Sequence, residues 1–198
     1  MISPDAPITP AAPSAPAEAC VRTISTRRIG TYTPYDVQVI VGLYYGLCAE
    51  VAIDPVMVLA HLIHETGNLT SWWSQRPRRN PAGIGVTGRT SPVAPAKGTW
   101  VLRDGVWVEG VAFPSWADAA RAHIGRLLAY ALRDEQTTPA QQERIRQALA
   151  VRPLPARFRG AASTWCGLNG RWAVPGTTYA EKIAMIARRI AHEHKEHT

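Results

Sequence analysis

The sequence predicts a mainly helical α+β fold: a helical bundle carrying one small β-hairpin lobe. Two observations predict it. Five segments open on helix-capping residues and continue as apolar faces, and a single hairpin signal interrupts them. At 198 residues the chain is long enough to bury one substantial core.

Residues 1–22 hold five of the sixteen prolines and read as a Pro/Ala-rich disordered segment. The main domain is expected over 23–192. Its first helix begins at Thr33, where Thr33-Pro34-Tyr35-Asp36 supplies a cap, a proline at the first helical position and an acid three residues after the cap. That helix runs to about Val51. In the second, Asp54 caps, Pro55 opens, and Val56, Leu59, Ala60 and Ile63 form one apolar stripe that ends at Gly67. Residues 68–97 are rich in Gly, Pro, Arg and Ser and read as an ordered loop region. Thr99–Arg103 and Val106–Glu109 then flank Asp104-Gly105, a type I′ turn dipeptide, and form the hairpin. Capping patterns at Ser115, Thr138 and Thr178 open three further helices, to about Leu132, Ala150 and His192. The tail, 193–198, is polar and expected to fray.

Composition narrows the function classes. The formal charge of +7 favours polyanionic partners such as nucleic acid, anionic lipid or an acidic cell wall. No run reaches the ~20 apolar residues of a membrane span, and Val37–Val51 is broken by Gln38, Gly42, Gly46 and Glu50. Met1–Cys20 lacks a basic n-region and an apolar h-region, so no secretory signal is visible. Cys20, Cys48 and Cys166 are too few for a disulfide scaffold and lack zinc-ligand spacing. His61, His64 and Glu65 match no zinc pattern, so neither metal nor cofactor is expected. The charge comes without a helix-turn-helix, zinc-finger or RNA-recognition signature, and a nucleic-acid partner is not expected.

The chemistry concentrates in Asp54–Gly85. Glu65 closes an apolar helix beside Trp72 and Trp73. Burial and the negative end of the helix dipole both raise a carboxyl pKa, which keeps such a group protonated and able to donate. The plain alternative is a surface residue in the last helical turn. Arg76, Arg78, Arg79 and Arg89 lie in the loop that follows, either to attract carboxylates or simply as a solvated basic loop.

These residues carry a resemblance. Ala60-His61-Leu62-Ile63-His64-Glu65-Thr66-Gly67, then Asn80-Pro81-Ala82-Gly83-Ile84-Gly85, resembles the glucosaminidase family of peptidoglycan hydrolases. The hairpin, Phe113-Pro114-Ser115-Trp116, Gly170-Arg171-Trp172-Ala173 and Tyr179-Ala180-Glu181-Lys182-Ile183 follow in that family's order, so the resemblance covers about residues 33–192. It implies a lysozyme-like helical bundle with a hairpin lobe over a sugar-binding cleft. The implied reaction is hydrolysis of the β-1,4 bond after N-acetylglucosamine, with Glu65 as general acid and Tyr179 as a cleft tyrosine. Trp72, Trp73, Asn80, Gly83, Ile84 and Trp172 are the implied substrate-binding residues. The implied partner is peptidoglycan, met outside the cytoplasm by a monomer that inserts in no membrane.

The sequence departs from the family at the second acid. Many members carry one four residues before the hairpin's turn glycine, and here that position is Val101. Asp104 and Glu109 are the nearby candidates. Either a carboxylate such as Glu109 activates water, or the substrate's own N-acetyl oxygen is the nucleophile and Glu65 works alone. The same fold also serves muramidases, lytic transglycosylases and non-catalytic wall-binding or virion proteins.

Overall fold

A computed structural model of the chain describes residues 2–173 and 176–195. Six α-helices surround one core: α1 (Ala17–Ser25), α2 (Pro34–Ala49), α3 (Pro55–Thr66), α4 (Trp116–Ala131), α5 (Pro139–Val151) and α6 (Tyr179–Lys195). Between α3 and α4 lie the strands β1 (Thr90–Ser91), β2 (Trp100–Arg103) and β3 (Val106–Glu109). They form an antiparallel sheet in the order β1-β3-β2, with Trp100 opposite Glu109 and Thr90 opposite Val108. The fold is therefore mainly helical α+β.

The helix starts follow from local chemistry. The Thr33 side chain accepts from the Asp36 amide while Asp36 accepts from the Thr33 amide, and Thr138 and Gln141 repeat the arrangement. Asp54 accepts from the Val56 amide at 2.9 Å, and Ser115 from the Asp118 amide at 3.1 Å. At the hairpin tip both Asp104 and Gly105 have positive φ, as a type I′ turn requires.

Core packing centres on α3, in which every residue except His64 and Glu65 is buried. Helices α4 and α5 approach closely. A Cβ on Gly125 would stand 2.2 Å from the Arg144 carbonyl oxygen, so only glycine lets the two helices approach this closely.

The N-terminal segment differs from its expected disorder. Ile8, Ala19 and Cys20 are fully buried, and residues 17–25 form a helix. The proline-rich strip before it is tied down by backbone bonds: the Ile8 amide to the Ser163 carbonyl at 2.9 Å, and the Ala11 amide to the Ala52 carbonyl at 2.8 Å. Ser14 donates its amide to Asp54, so the strip also braces the start of α3. Proline composition marks chain stiffness, and a stiff chain with a few well-placed apolar residues can still dock. At the other end the expected frayed tail is helical through Lys195, and 196–198 lie outside the described residues.

Candidate active site

Glu65 occupies the last turn of α3, and Gly67 in the left-handed conformation ends the helix immediately after it. A helix whose other faces are all buried delivers this carboxyl to the one side left partly open. Burial pushes its pKa up, opposed by the hydrogen bond from Tyr179 and by the Trp172 indole. Among the described residues none of its partners is a cation that would hold it ionised. Tyr179, at the first turn of α6, donates its hydroxyl proton to Glu65 Oε1.

The other oxygen, Oε2, faces the Asn80–Gly85 turn. A Cβ placed on Gly83 would lie 3.7 Å from it, and Gly83 has φ +60° and is solvent-exposed. Glycine here both permits the turn and leaves open space beside the acid. The remainder of the turn is structural, which corrects two expected substrate contacts. Asn80 is fully buried. Its amide donates to the Ile84 and Val111 carbonyls at 2.8 and 2.9 Å, and its carbonyl oxygen accepts from the Ala82 and Ile84 amides. With both donors and both acceptor positions used, it has nothing left for a sugar. Ile84 is buried in the core.

Behind Tyr179 runs a set of polar contacts that spacing alone does not reveal. The Tyr179 hydroxyl meets His61 Nε2 at 2.6 Å, His61 Nδ1 meets His123 Nε2 at 2.8 Å, and His123 Nδ1 meets the Tyr44 hydroxyl at 3.0 Å. Both imidazoles are fully buried, and burial holds both pKa values below the usual histidine range, that of His123 at about 3. They are therefore neutral. Trp172 packs edge-on against His61 with centroids 4.7 Å apart, closing the side of this chain. The traceable signals are His61 one helical turn before Glu65 and His123 on an otherwise apolar face of α4. Because both ring nitrogens of His61 are engaged within the fold, His61 and Glu65 do not form the beginnings of a metal site. No group of three or more metal-ligating side chains occurs among the described residues.

The aromatic loop is also more self-contained than expected. Trp72 and Trp73 meet edge to face at 4.8 Å. The Arg78 guanidinium lies over the Trp72 ring at 3.7 Å and that of Arg103 at 4.9 Å, so protein cations cover a ring expected to stack on sugar. Trp73 instead packs on Gly110, where a Cβ would stand 2.4 Å from the indole. Both indoles are half-buried. The other loop arginines are likewise engaged: Arg76 with Asp36, Arg79 with the Pro77 and Phe113 carbonyls, and Arg89 with Glu109.

The two candidates for a second acid separate cleanly. Asp104 sits at the exposed hairpin tip, its side chain 93% exposed, with Arg103 at 3.7 Å, so it lacks the shielding that Glu65 has. Glu109 is buried at the end of β3, where Thr87 donates its hydroxyl to Oε2 and Arg89 stands 3.5 Å from the same oxygen. Glu109 is thus the shielded carboxylate of the β lobe. It shares no hydrogen bond with the Glu65–Tyr179 chain.

A carboxyl with a raised pKa, one oxygen occupied by a phenol and the other facing an open glycine turn can deliver a proton and then hold the resulting charge. No helix among the described residues is long and apolar enough to cross a membrane. No family model matches the sequence, and no curated protein matches it. Among solved structures, the catalytic domain of the autolysin Auto from Listeria monocytogenes matches at 19% identity, over 91% of this chain and 88% of that chain, with a TM-score of 0.44.

Proposed function

We propose that this chain is a peptidoglycan hydrolase of lysozyme-like architecture that cleaves the β-1,4 bond after N-acetylglucosamine, with Glu65 as the general acid. The observation that carries the reading is the setting of Glu65. Its pKa is raised by burial, its Oε1 is held by Tyr179, and its Oε2 borders the open Gly83 turn. Glycoside cleavage needs such a protonated carboxyl to give its proton to the leaving oxygen. The ordered sequence motifs from Ala60 to Ile183 supply the substrate class, and the site of action is then the cell wall, outside the cytoplasm.

For the nucleophile, the engagement of Glu109 with Thr87 and Arg89 favours the substrate's own acetamido group. Glu65 protonates the leaving oxygen as the acetamido oxygen closes on C1 and the C1–O bond breaks. Glu65, now a carboxylate, then takes a proton from the water that opens the ring, and the anomer is retained.

Mass spectrometry of digested sacculi tests the bond. Reducing-end N-acetylglucosamine is the expected product. Reducing-end N-acetylmuramic acid would make the protein a muramidase, and an anhydro-muramic end a lytic transglycosylase. An inverted anomer in the first product formed would return Glu109 to the mechanism as a base. Binding of sacculi without any cleavage would leave a wall-binding or virion structural protein.

A further inference from the structure

We propose that Tyr44, His123 and His61 are positioning residues that form a one-way chain of hydrogen bonds, fixing Oε1 of Glu65 as an acceptor and leaving its exchangeable proton on Oε2. The inference rests on the reading of Glu65 as the acid, but its geometry stands independently of turnover.

The direction of the chain follows from its far end. Tyr44 is fully buried, and its hydroxyl makes only one hydrogen bond among the described residues, to His123 Nδ1. A hydroxyl has one proton, and if that proton pointed anywhere else it would be buried without a partner, at the full cost of desolvation. Tyr44 therefore donates and His123 Nδ1 accepts. A neutral imidazole has one N–H, so the proton of His123 is on Nε2 and is donated to His61 Nδ1. By the same count His61 carries its proton on Nε2 and donates to the Tyr179 oxygen, which frees the Tyr179 proton for Glu65 Oε1. Each link leaves the next a single choice.

The count requires both histidines to be neutral, and their surroundings keep them so. Cys48 on α2 stands beside Tyr44, and burial holds its thiol protonated. His64 on α3 faces His61 and opposes a positive charge on it, and Lys182 on α6 acts in turn on His64. From α4, Tyr130 faces Tyr179, and Arg126 lies 5.9 Å over the Trp172 ring that covers His61. No carboxylate other than Glu65 reaches the chain among the described residues.

The consequence for Glu65 is a division of labour between its oxygens. With Oε1 always accepting from Tyr179, a proton taken up by the carboxyl resides on Oε2, the oxygen beside Gly83. Reversing the chain would place that proton on Oε1, aimed inward at Tyr179, where it could not reach a substrate. Tyr44, buried and remote in sequence from the acid, prevents the reversal.

Long-range 1H–15N correlation of the ring nitrogens, with 13C titration of the Glu65 carboxyl, tests this in the free protein. From about pH 5 to 8, both buried histidines should be neutral Nε2–H tautomers. In Tyr44→Phe either direction leaves one orphaned group, so an Nδ1–H form of His123 should appear. The Glu65 midpoint should then rise by roughly a few tenths of a pH unit as Tyr179 donates less to it. An Nδ1–H tautomer at either histidine in the wild type would overturn the proposal, as would a Tyr44→Phe protein with both readings unchanged. The predicted tautomers in a protein that never clears sacculi would sink the hydrolase reading and leave the chain standing. A working hydrolase with the opposite tautomers would do the reverse.

Discussion

Glu65 in the helical half of the molecule and Glu109 in its β lobe are both shielded carboxylates, and the two are treated in opposite ways. Among the described residues Glu65 is met by neutral groups only, a phenol and an indole, and stands at a helix end. Glu109 is met by a hydroxyl and a guanidinium. Burial raises the cost of charge in either place, but only the lobe supplies a compensating cation. Shielding by itself does not mark an acid. The partners decide, and those of Glu65 suit a proton donor.

The strongest way to break this comparison is acid, which acts on the helical half first. His61 and His123 are neutral in the fold, whereas their ordinary value is 6.5. A depressed folded pKa gives stability that is complete above the unfolded value and is lost as pH falls through the window below it. Stability should therefore fall by about 1.4 kcal/mol per pH unit for each histidine below roughly pH 6.5. Glu65 works with the opposite sign, since a raised pKa stabilises below its unfolded value and loses that contribution as pH rises, so it offsets part of the slope. Denaturant melts of the wild type and His123→Gln from pH 7 to pH 4 check this, and equal slopes would contradict it. Packing provides the second contrast. Gly125→Ala drives a methyl into the Arg144 carbonyl and should cost about 3 kcal/mol or more. Gly105→Ala at the hairpin tip meets only its positive φ and should cost about 1 kcal/mol. Urea midpoints separate the two.

A smaller effect is expected at the lobe carboxylate itself. Glu109→Gln should lower the clearing of sacculi by less than about tenfold, well short of the 10²–10⁴ that general acid catalysis contributes. A loss matching that of Glu65 would give the lobe a chemical role. The smallest effect belongs to the loop arginines. Replacing Arg76, Arg78, Arg79 and Arg89 together should reduce activity on intact walls a few-fold more than on short neutral chitooligosaccharides. Equal losses on both would show that these side chains serve the loop alone, as their contacts with Asp36, Trp72, Phe113 and Glu109 allow.

What could be read in advance divides along a physical line. The caps at Thr33, Asp54, Ser115 and Thr138 and the Asp104-Gly105 turn were legible because each is a contact within four residues. The place of Glu65 at the end of an apolar helix was legible for the same reason. Ile8 was not, because its partners lie more than 150 residues away and nothing around it but proline marks the strip. The chain behind Glu65 was also hidden. Tyr44 and His123 look like ordinary core residues, His61 and Tyr179 stand out only through their own motifs, and only the packing of α2, α3, α4 and α6 puts the polar atoms of all four in line. Asn80 and Ile84 were read in the opposite direction. A motif position suggested ligand contact, whereas four hydrogen bonds and full burial assign them to holding the turn that leaves Gly83 open.

The central claim is that Glu65 supplies the proton, and clearing of purified sacculi by wild type and Glu65→Gln side by side tests it most directly. Gln keeps the shape and can still accept the Tyr179 hydroxyl but has no acidic proton to transfer. The account predicts a loss of about 10²–10⁴ in clearing rate with wall binding and the melting transition retained. A Glu65→Gln protein that clears at the wild-type rate would contradict it.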